Sequence, residues 1–238
     1  MDALQNILVL DAGNTRVKIG AFSNGELIAS DSVANEDIHT LLDLYPGFKM
    51  VVSSVRSDTE TQAILETLEA TLIHASANLP FASKYKSPTL GMDRLCNTMY
   101  LHSRAKTRYA ACIDLGTCIK FDLYDKEVGY LGGSISPGIN LRYKSLHDHT
   151  GKLPLLSKTH PEQLIGNTTE QSIESGVIRG IQYELDGFVN QYESQFPGLT
   201  FFVTGGDAAH FDIHSKNDIF AVENLTLIGI YELYLFNI

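Results

Sequence analysis

The chain has 238 residues, 44% of them hydrophobic, enough to bury a sizeable core in one or two domains. Its 18 basic residues stand against 28 acidic ones, a formal charge of −10 with no basic run. This excludes a non-specific nucleic-acid surface, which needs dense Lys and Arg to neutralise phosphates.

The chain opens on an apolar run, Ile7 to Leu10, which ends in Asp11, Ala12, Gly13, Asn14 and Thr15 before a second run begins at Arg16, Val17 and Lys18. Ser23, Asn24 and Gly25 turn the chain into a third strand, Glu26 to Val33, completing a meander. Asn35 is placed to cap a short helix bearing Leu41, Leu42 and Leu44, and Lys49 to Val55 reads as a buried strand. Ser57 with Glu60 makes a capping box, opening a helix with Ile64, Leu65, Leu68 and Leu72 on one face. A loop, Lys84 to Leu90, leads to Gly91, Met92, Asp93 and Arg94 at the start of a helix carrying Leu95, Cys96, Met99 and Tyr100.

The opening pattern returns from Ala111 to Lys120: an apolar run, Asp114, Gly116 and Thr117, then a second run reaching Tyr124. A turn at Asp125 to Glu127 and a strand from Val128 to Leu131 complete a second meander. The glycine-rich segment Gly132 to Gly138 follows as a loop suited to close approach, opening a helix at Pro137. The longest helix begins near Thr168 or Thr169, keeps Ile173, Val177, Ile181, Leu185 and Val189 at helical spacing, and stops before Pro197 and Gly198. Strand Leu199 to Val203 runs into Thr204, Gly205, Gly206 and Asp207. The apolar stretch Leu225 to Ile238, interrupted by Glu232 and too short for a bilayer, is a closing helix. Together these elements predict an α/β protein of duplicated ribonuclease-H-like halves, residues 1–108 and 109–238, with mixed sheets flanked by helices. Three cysteines without a CxxC pair suit a reducing compartment, and the N-terminus lacks the pattern of a signal peptide, so a cytoplasmic protein without membrane association is expected.

The repeated turn carries the functional reading. A turn glycine lets backbone approach a phosphate closely, and neighbouring hydroxyl and N–H groups donate to its oxygens. An acid at a strand end would repel phosphates, so Asp11 and Asp114 suit holding a cation, directly or through water, that offsets phosphate charge. Lys18 is placed to reach phosphates as a point charge. One such turn is equally an ordinary hairpin; two, each followed by a further strand, indicate halves serving one polyphosphate ligand. Asp93 is either a first-turn acid favoured by the helix dipole or a base receiving the proton of an attacking hydroxyl, with Arg94 to grip a substrate anion. Thr168 and Thr169 are most simply N-caps, with a hydroxyl open to substrate, and Tyr85 is either a pocket wall or an exposed loop tyrosine. The eight histidines form no HxH or HxxxH metal pattern.

In order, Asp11 to Thr15, Gly91 to Arg94, Asp114 to Thr117, Gly132 to Gly138, Leu153 with Pro154, and Thr204 to Gly206 resemble the motifs of type III pantothenate kinase, a family of the acetate/sugar kinase–Hsp70–actin superfamily. The resemblance covers nearly the whole chain, and Gly91 to Arg94 and Gly132 to Gly138 are its selective parts. It implies an actin-like ATPase fold and ATP-dependent phosphorylation of pantothenate to 4′-phosphopantothenate, the first step of coenzyme A biosynthesis. It further implies that Asp11, Ala12, Gly13, Asn14, Thr15, Arg16, Val17 and Lys18 hold ATP, with Thr117 adding a contact. Tyr85, Gly91, Met92, Asp93, Arg94 and Thr169 would bind pantothenate, with Asp93 as catalytic base. Asp114 would hold a monovalent cation, K+ or NH4+, Mg2+ would accompany ATP, and the protein would be a homodimer. The sequence departs from the family at Cys118, Ile119 and Lys120, where a small residue and then a threonine are usual; Lys120 would alter nucleotide or cation preference, or partly replace the monovalent ion. A sugar kinase of this fold would offer several Asn, Asp or Glu side chains to hydroxyls, where Gly91 to Arg94 offer one acid and one cation.

Overall fold

Unbroken apolar runs set the centre of each sheet. A computed structural model describes residues 6–13, 16–73, 78–87 and 90–238. Two compact units result: Met1–Arg104 with Val128–Tyr130 and Asn224–Ile238, and Ala105–Glu127 with Leu131–Glu223. The first unit gives way to the second after Arg104, and the last helix joins the first unit.

In the first unit, β1 (Ile7–Ala12) pairs antiparallel with β2 (Val17–Ser23), and β2 with β3 (Glu26–Val33). On its other edge β1 pairs parallel with β4 (Lys49–Ser54), and β4 with β5 (Thr71–Leu72), giving the order β3-β2-β1-β4-β5. Successive β1 side chains alternate between two cores. Ile7 and Val9 join Phe22, Val51, Leu95 and Cys96. Leu8, Leu10 and Ala12 join Val17, Ile19, Val52, Ile64 and Leu68.

The helices of this unit are α1 (Leu41–Leu44), α2 (Asp58–Leu68) and α3 (Met92–Arg104). The capping box opens α2: Ser57 Oγ accepts from the Glu60 amide, and the Glu60 carboxylate accepts from the Ser57 amide. α2 closes on Glu69 at φ 48°, so Leu72 falls in β5 instead of on the helix face. Asn35 does not cap the segment before α1; its Oδ1 accepts from Arg56 at 2.6 Å, and a 3-10 turn starts after Asp37.

The second unit repeats the topology. β6 (Tyr109–Leu115) pairs antiparallel with β7 (Cys118–Asp125) and parallel with β9 (Thr200–Thr204), which pairs with β10 (Ile219–Ala221). With β8 (Gly129–Pro137) the order is β10-β9-β6-β7-β8. The segment expected as a loop from Gly132 thus continues β8 to Pro137, and α4 (Ile139–Asp148) starts one residue after Gly138. Proline is tolerated there because it sits at the strand end, where no ladder donor is lost. α5 (Thr169–Glu174), a π turn (Ser175–Arg179) and α6 (Gly180–Gln195) run on as one helix, burying Ile181, Leu185 and Val189 against Ile113, Phe121 and Phe201.

α7 (Leu225–Phe236) is apolar on all sides because it lies inside the first unit. Leu227, Ile230 and Leu233 join Ile7 and Val51 in one core. Tyr231 stacks on Phe22 with ring centroids 4.0 Å apart and planes 2° apart. Each buried leucine contributes roughly 1.5–3 kcal/mol. Gly229 lets α7 touch α3, since a Cβ there would lie 2.6 Å from the carbonyl carbon of Cys96. Among the described residues no helix is long and apolar enough to cross a membrane.

Candidate active site

The end of β1 brings together the first group of polar residues. Asp11 is half-buried, opposite Lys18 of β2 and opposite Ser53 of β4. Lys18 is exposed, but Ala12 and Val17 are fully buried, their side chains packed in the core. Asn14 and Thr15 lie outside the described residues. Arg16, also exposed, donates from Nε to Ser32 Oγ at 2.7 Å and from Nη2 to the Ser32 carbonyl. The turn is braced from the next strand's exit: Arg56 Nε donates to the Gly13 carbonyl at 2.6 Å. No local motif marks Arg56, because its partner stands far away in sequence.

The start of α3 supplies the second group. Asp93 Oδ1 accepts from the Arg94 amide at 2.9 Å, and the carboxylate occupies the space over Gly91, where a Cβ would lie 2.5 Å from Oδ1. Met92 is 7% exposed and points into the core, which removes its side chain from substrate contact. Arg94 is buried, with its guanidinium 5.5 Å from the centroid of Tyr85 and 6.0 Å from that of Tyr130. Tyr130 is fixed there by backbone pairing: its amide donates to Ala82, and its carbonyl accepts from Lys84, both at 2.9 Å. The sequence pattern of a meander strand did not mark Tyr130 as part of this cluster.

Asp11 and Asp93 share a neighbour. Burial pushes the Cys96 thiol well above the usual range, and the negative charges of Asp11 and Asp93 push it the same way. Asp11 and Asp93 therefore both bear on one buried sulfur. The turn and the candidate base belong to the same unit.

In the second unit, three glycine segments meet at the end of β6. The Gly138 amide donates to the Thr117 carbonyl at 3.0 Å; a Cβ at Gly138 would sit 2.8 Å from that oxygen and closer still to the Gly116 carbonyl. Gly205 adopts φ +102°, and a Cβ there would fall 2.5 Å from both the nitrogen and carbonyl carbon of Leu115. The Asp207 amide donates to the Leu115 carbonyl at 2.9 Å, and its carboxylate pairs with Lys158. Thr117 is exposed on this turn. Exposed hydroxyl and backbone N–H groups on a glycine-lined turn are the donor set for phosphate oxygens.

Asp114, expected to hold a monovalent cation, already faces one from the chain itself. Lys120 Nζ lies 2.7 Å from Asp114 Oδ2, with the two side chains 14% and 12% exposed. Among the described residues no group of three or more His, Cys, Asp or Glu side chains is gathered to hold a metal ion. Thr169 is exposed behind the N-cap Thr168, whose hydroxyl accepts from the Gln171 amide at 3.2 Å. It lines a cavity of about 1040 Å³ with Pro137, Arg142 and Asn167. Thr169 and Thr117 belong to the second unit, whereas Tyr85, Gly91, Asp93 and Arg94 belong to the first.

The family model for type III pantothenate kinase matches residues 7–191. A type III pantothenate kinase of Flavobacterium johnsoniae is 36% identical over 240 residues, covering 98% of each chain. One of Christiangramia forsetii is 38% identical, covering 97% of this chain and 98% of its own. Among solved structures, a ROK family glucokinase from Streptomyces griseus in complex with glucose and AMPPNP is similar at a TM-score of 0.53 and 10% identity, covering 96% of this chain and 98% of that one. That likeness is one of fold, the actin-like ATPase arrangement that the two matching sheet orders also display. With relatives matching end to end and the family model matching from β1 into α6, the chain belongs to the type III pantothenate kinase family.

Proposed function

We propose that this chain phosphorylates pantothenate with ATP, giving 4′-phosphopantothenate and ADP at the start of coenzyme A biosynthesis, and that Asp93 accepts the proton. The substrate's primary hydroxyl oxygen attacks the γ-phosphorus, the bond to the β–γ bridging oxygen breaks, ADP leaves with that electron pair, and the hydroxyl proton passes to the Asp93 carboxylate. Phosphoryl transfer asks mainly for alignment and charge compensation, which this donor set supplies.

The first unit contributes Gly13 and the flanking backbone for ATP phosphates, with Lys18 and Arg16 as cationic side chains. Asp11 is the carboxylate that would hold Mg2+; a half-buried carboxylate at a strand end is a hard cation's oxygen ligand. When bound, that ion offsets negative charge on the phosphates. Asn14 and Thr15 keep their place in this assignment by motif alone. Arg94, held against Tyr85 and Tyr130, supplies positive charge for the pantothenate carboxylate. Gly91 and Met92 contribute backbone. In the second unit, Thr117 serves ATP and the Thr169 hydroxyl serves pantothenate. The enzyme is a cytoplasmic homodimer in this reading, a state that sedimentation velocity measures directly.

One observation carries the assignment of the base: the Asp93 carboxylate held over Gly91 at the start of α3. The test is ADP release with pantothenate and a panel of hexoses. Turnover with pantothenate alone supports the reading; turnover with a hexose and none with pantothenate overturns it.

A further inference from the structure

We propose that the Lys120 ammonium is the built-in cation of the second glycine turn, so that this enzyme works without K+ or NH4+ at Asp114. The inference deepens the kinase reading above and rests on it for its activity arm only.

The argument starts from strand register. Asp114 of β6 and Lys120 of β7 are direct Cα partners in an antiparallel pair, so their side chains emerge on the same face of the sheet. The turn between the strands holds only Gly116 and Thr117, which fixes that register tightly. Lys120 Nζ therefore reaches Asp114 Oδ2 at 2.7 Å by construction, close to the phosphate-type turn. Both groups are largely withdrawn from water, where an ion pair is screened less than at the surface.

An ammonium on a lysine stem has the charge of the soluble ions it would displace and presents three donors. A second monovalent cation on the same carboxylate would face that ammonium across a few ångströms, and among the described residues no group of three or more His, Cys, Asp or Glu side chains is gathered to hold it. Gly138 and Gly205 lean on the same strand end, so the ammonium sits at the turn they line. Its positive charge is placed to do what a bound monovalent ion does for a polyphosphate.

Two measurements test this on the whole enzyme. In potassium-free and ammonium-free buffer, wild-type ADP release should stay within about twofold of its rate with K+. Lys120→Thr and Lys120→Met should each lose about tenfold or more without K+, and Lys120→Thr should regain activity as K+ or NH4+ is added. Independently of turnover, a thallium(I) NMR titration should show no saturable binding to the wild type, and saturable binding to Lys120→Thr that K+ competes away and Asp114→Asn removes. A wild type that is nearly inactive without K+ overturns the proposal. So does wild-type thallium binding that Asp114→Asn abolishes, or a folded Lys120→Met as active as wild type without added cation. Failure with pantothenate alone would leave the thallium result standing and point instead to the substrate assignment.

Discussion

Gly91 and Asp93 exclude any larger neighbour: a Cβ on residue 91 would come within 2.5 Å of Asp93 Oδ1. The clash is with the tip of a rotatable side chain, so Gly91→Ala should fold normally and simply displace the carboxylate. A reacting group misplaced by about 1 Å costs on the order of a hundredfold in rate. We expect kcat for Gly91→Ala to fall roughly ten- to a hundredfold with little change in melting temperature. Comparable turnover in variant and wild type would show that the present Asp93 geometry does not matter.

Asp93→Asn keeps the size of the side chain and the bond to the Arg94 amide, and removes the proposed proton acceptor. Turnover should drop by roughly 10²–10⁴. ATP affinity from equilibrium dialysis should remain within about twofold, as expected of a group that acts in the chemical step.

Arg56 reaches the first turn through the Gly13 carbonyl and is also tied to Asn35. Its removal should leave pantothenate binding alone and loosen the phosphate side. Arg56→Ala is expected to raise KM for ATP by about tenfold, corresponding to the roughly 1.5 kcal/mol of a charge-assisted hydrogen bond. Initial-rate kinetics with each substrate varied separately will separate the two effects.

The buried thiol of Cys96 gives a pH dependence with a definite sign. Its folded pKa is raised, so the native state holds a proton that the unfolded chain releases above about pH 8.5. The stability linked to it is complete below that pH and declines as pH rises toward the folded value. Between pH 8 and 9.5, urea unfolding of the wild type should lose about 1 kcal/mol more than that of Cys96→Ala. Tyr124, Tyr143 and Tyr231 are raised as well, but tyrosines begin to contribute only near pH 10.

Gly138→Ala probes the glycine cluster in a different way, because here the obstacle is backbone. The added methyl would meet the Gly116 and Thr117 carbonyls, which cannot rotate aside. A loss of roughly 2–4 kcal/mol of stability is expected, together with weaker nucleotide binding. Calorimetric unfolding and ATP titration check both; an unperturbed Tm would mean the turn yields.

The elements that could be read from letters alone are those with local causes. The hairpin of β1 and β2 follows from apolar runs around a glycine turn, and α2 starts where its capping box requires. Asp93 falls in the first turn of α3, as its position before an apolar helical face dictates. Long-range partners left no such trace. Arg56 on Gly13 and Tyr130 beside Arg94 depend on strand neighbours and a crossing loop, not on spacing. A motif also conceals which atoms face outward: Ala12, Val17 and Met92 stand among the site letters, yet their side chains are core. The glycines of β8 suggested a loop because close approach and flexibility use the same residues; the pairing of the strand is decided by its neighbours. An apolar helix such as α7 advertises burial on every side and so cannot name the sheet it will join.

That helix has a consequence for how the protein is made. Residues 224–238 complete the first unit but leave the ribosome after all of the second, which is drawn from residues 105–223 apart from a short strand start. The second unit can thus assemble during translation, while Phe22, Cys96 and their neighbours wait for Tyr231 and Gly229 to arrive. Shortening the chain by its final helix would leave the N-terminal half, with its candidate base, as an unfinished fold exposed to proteases.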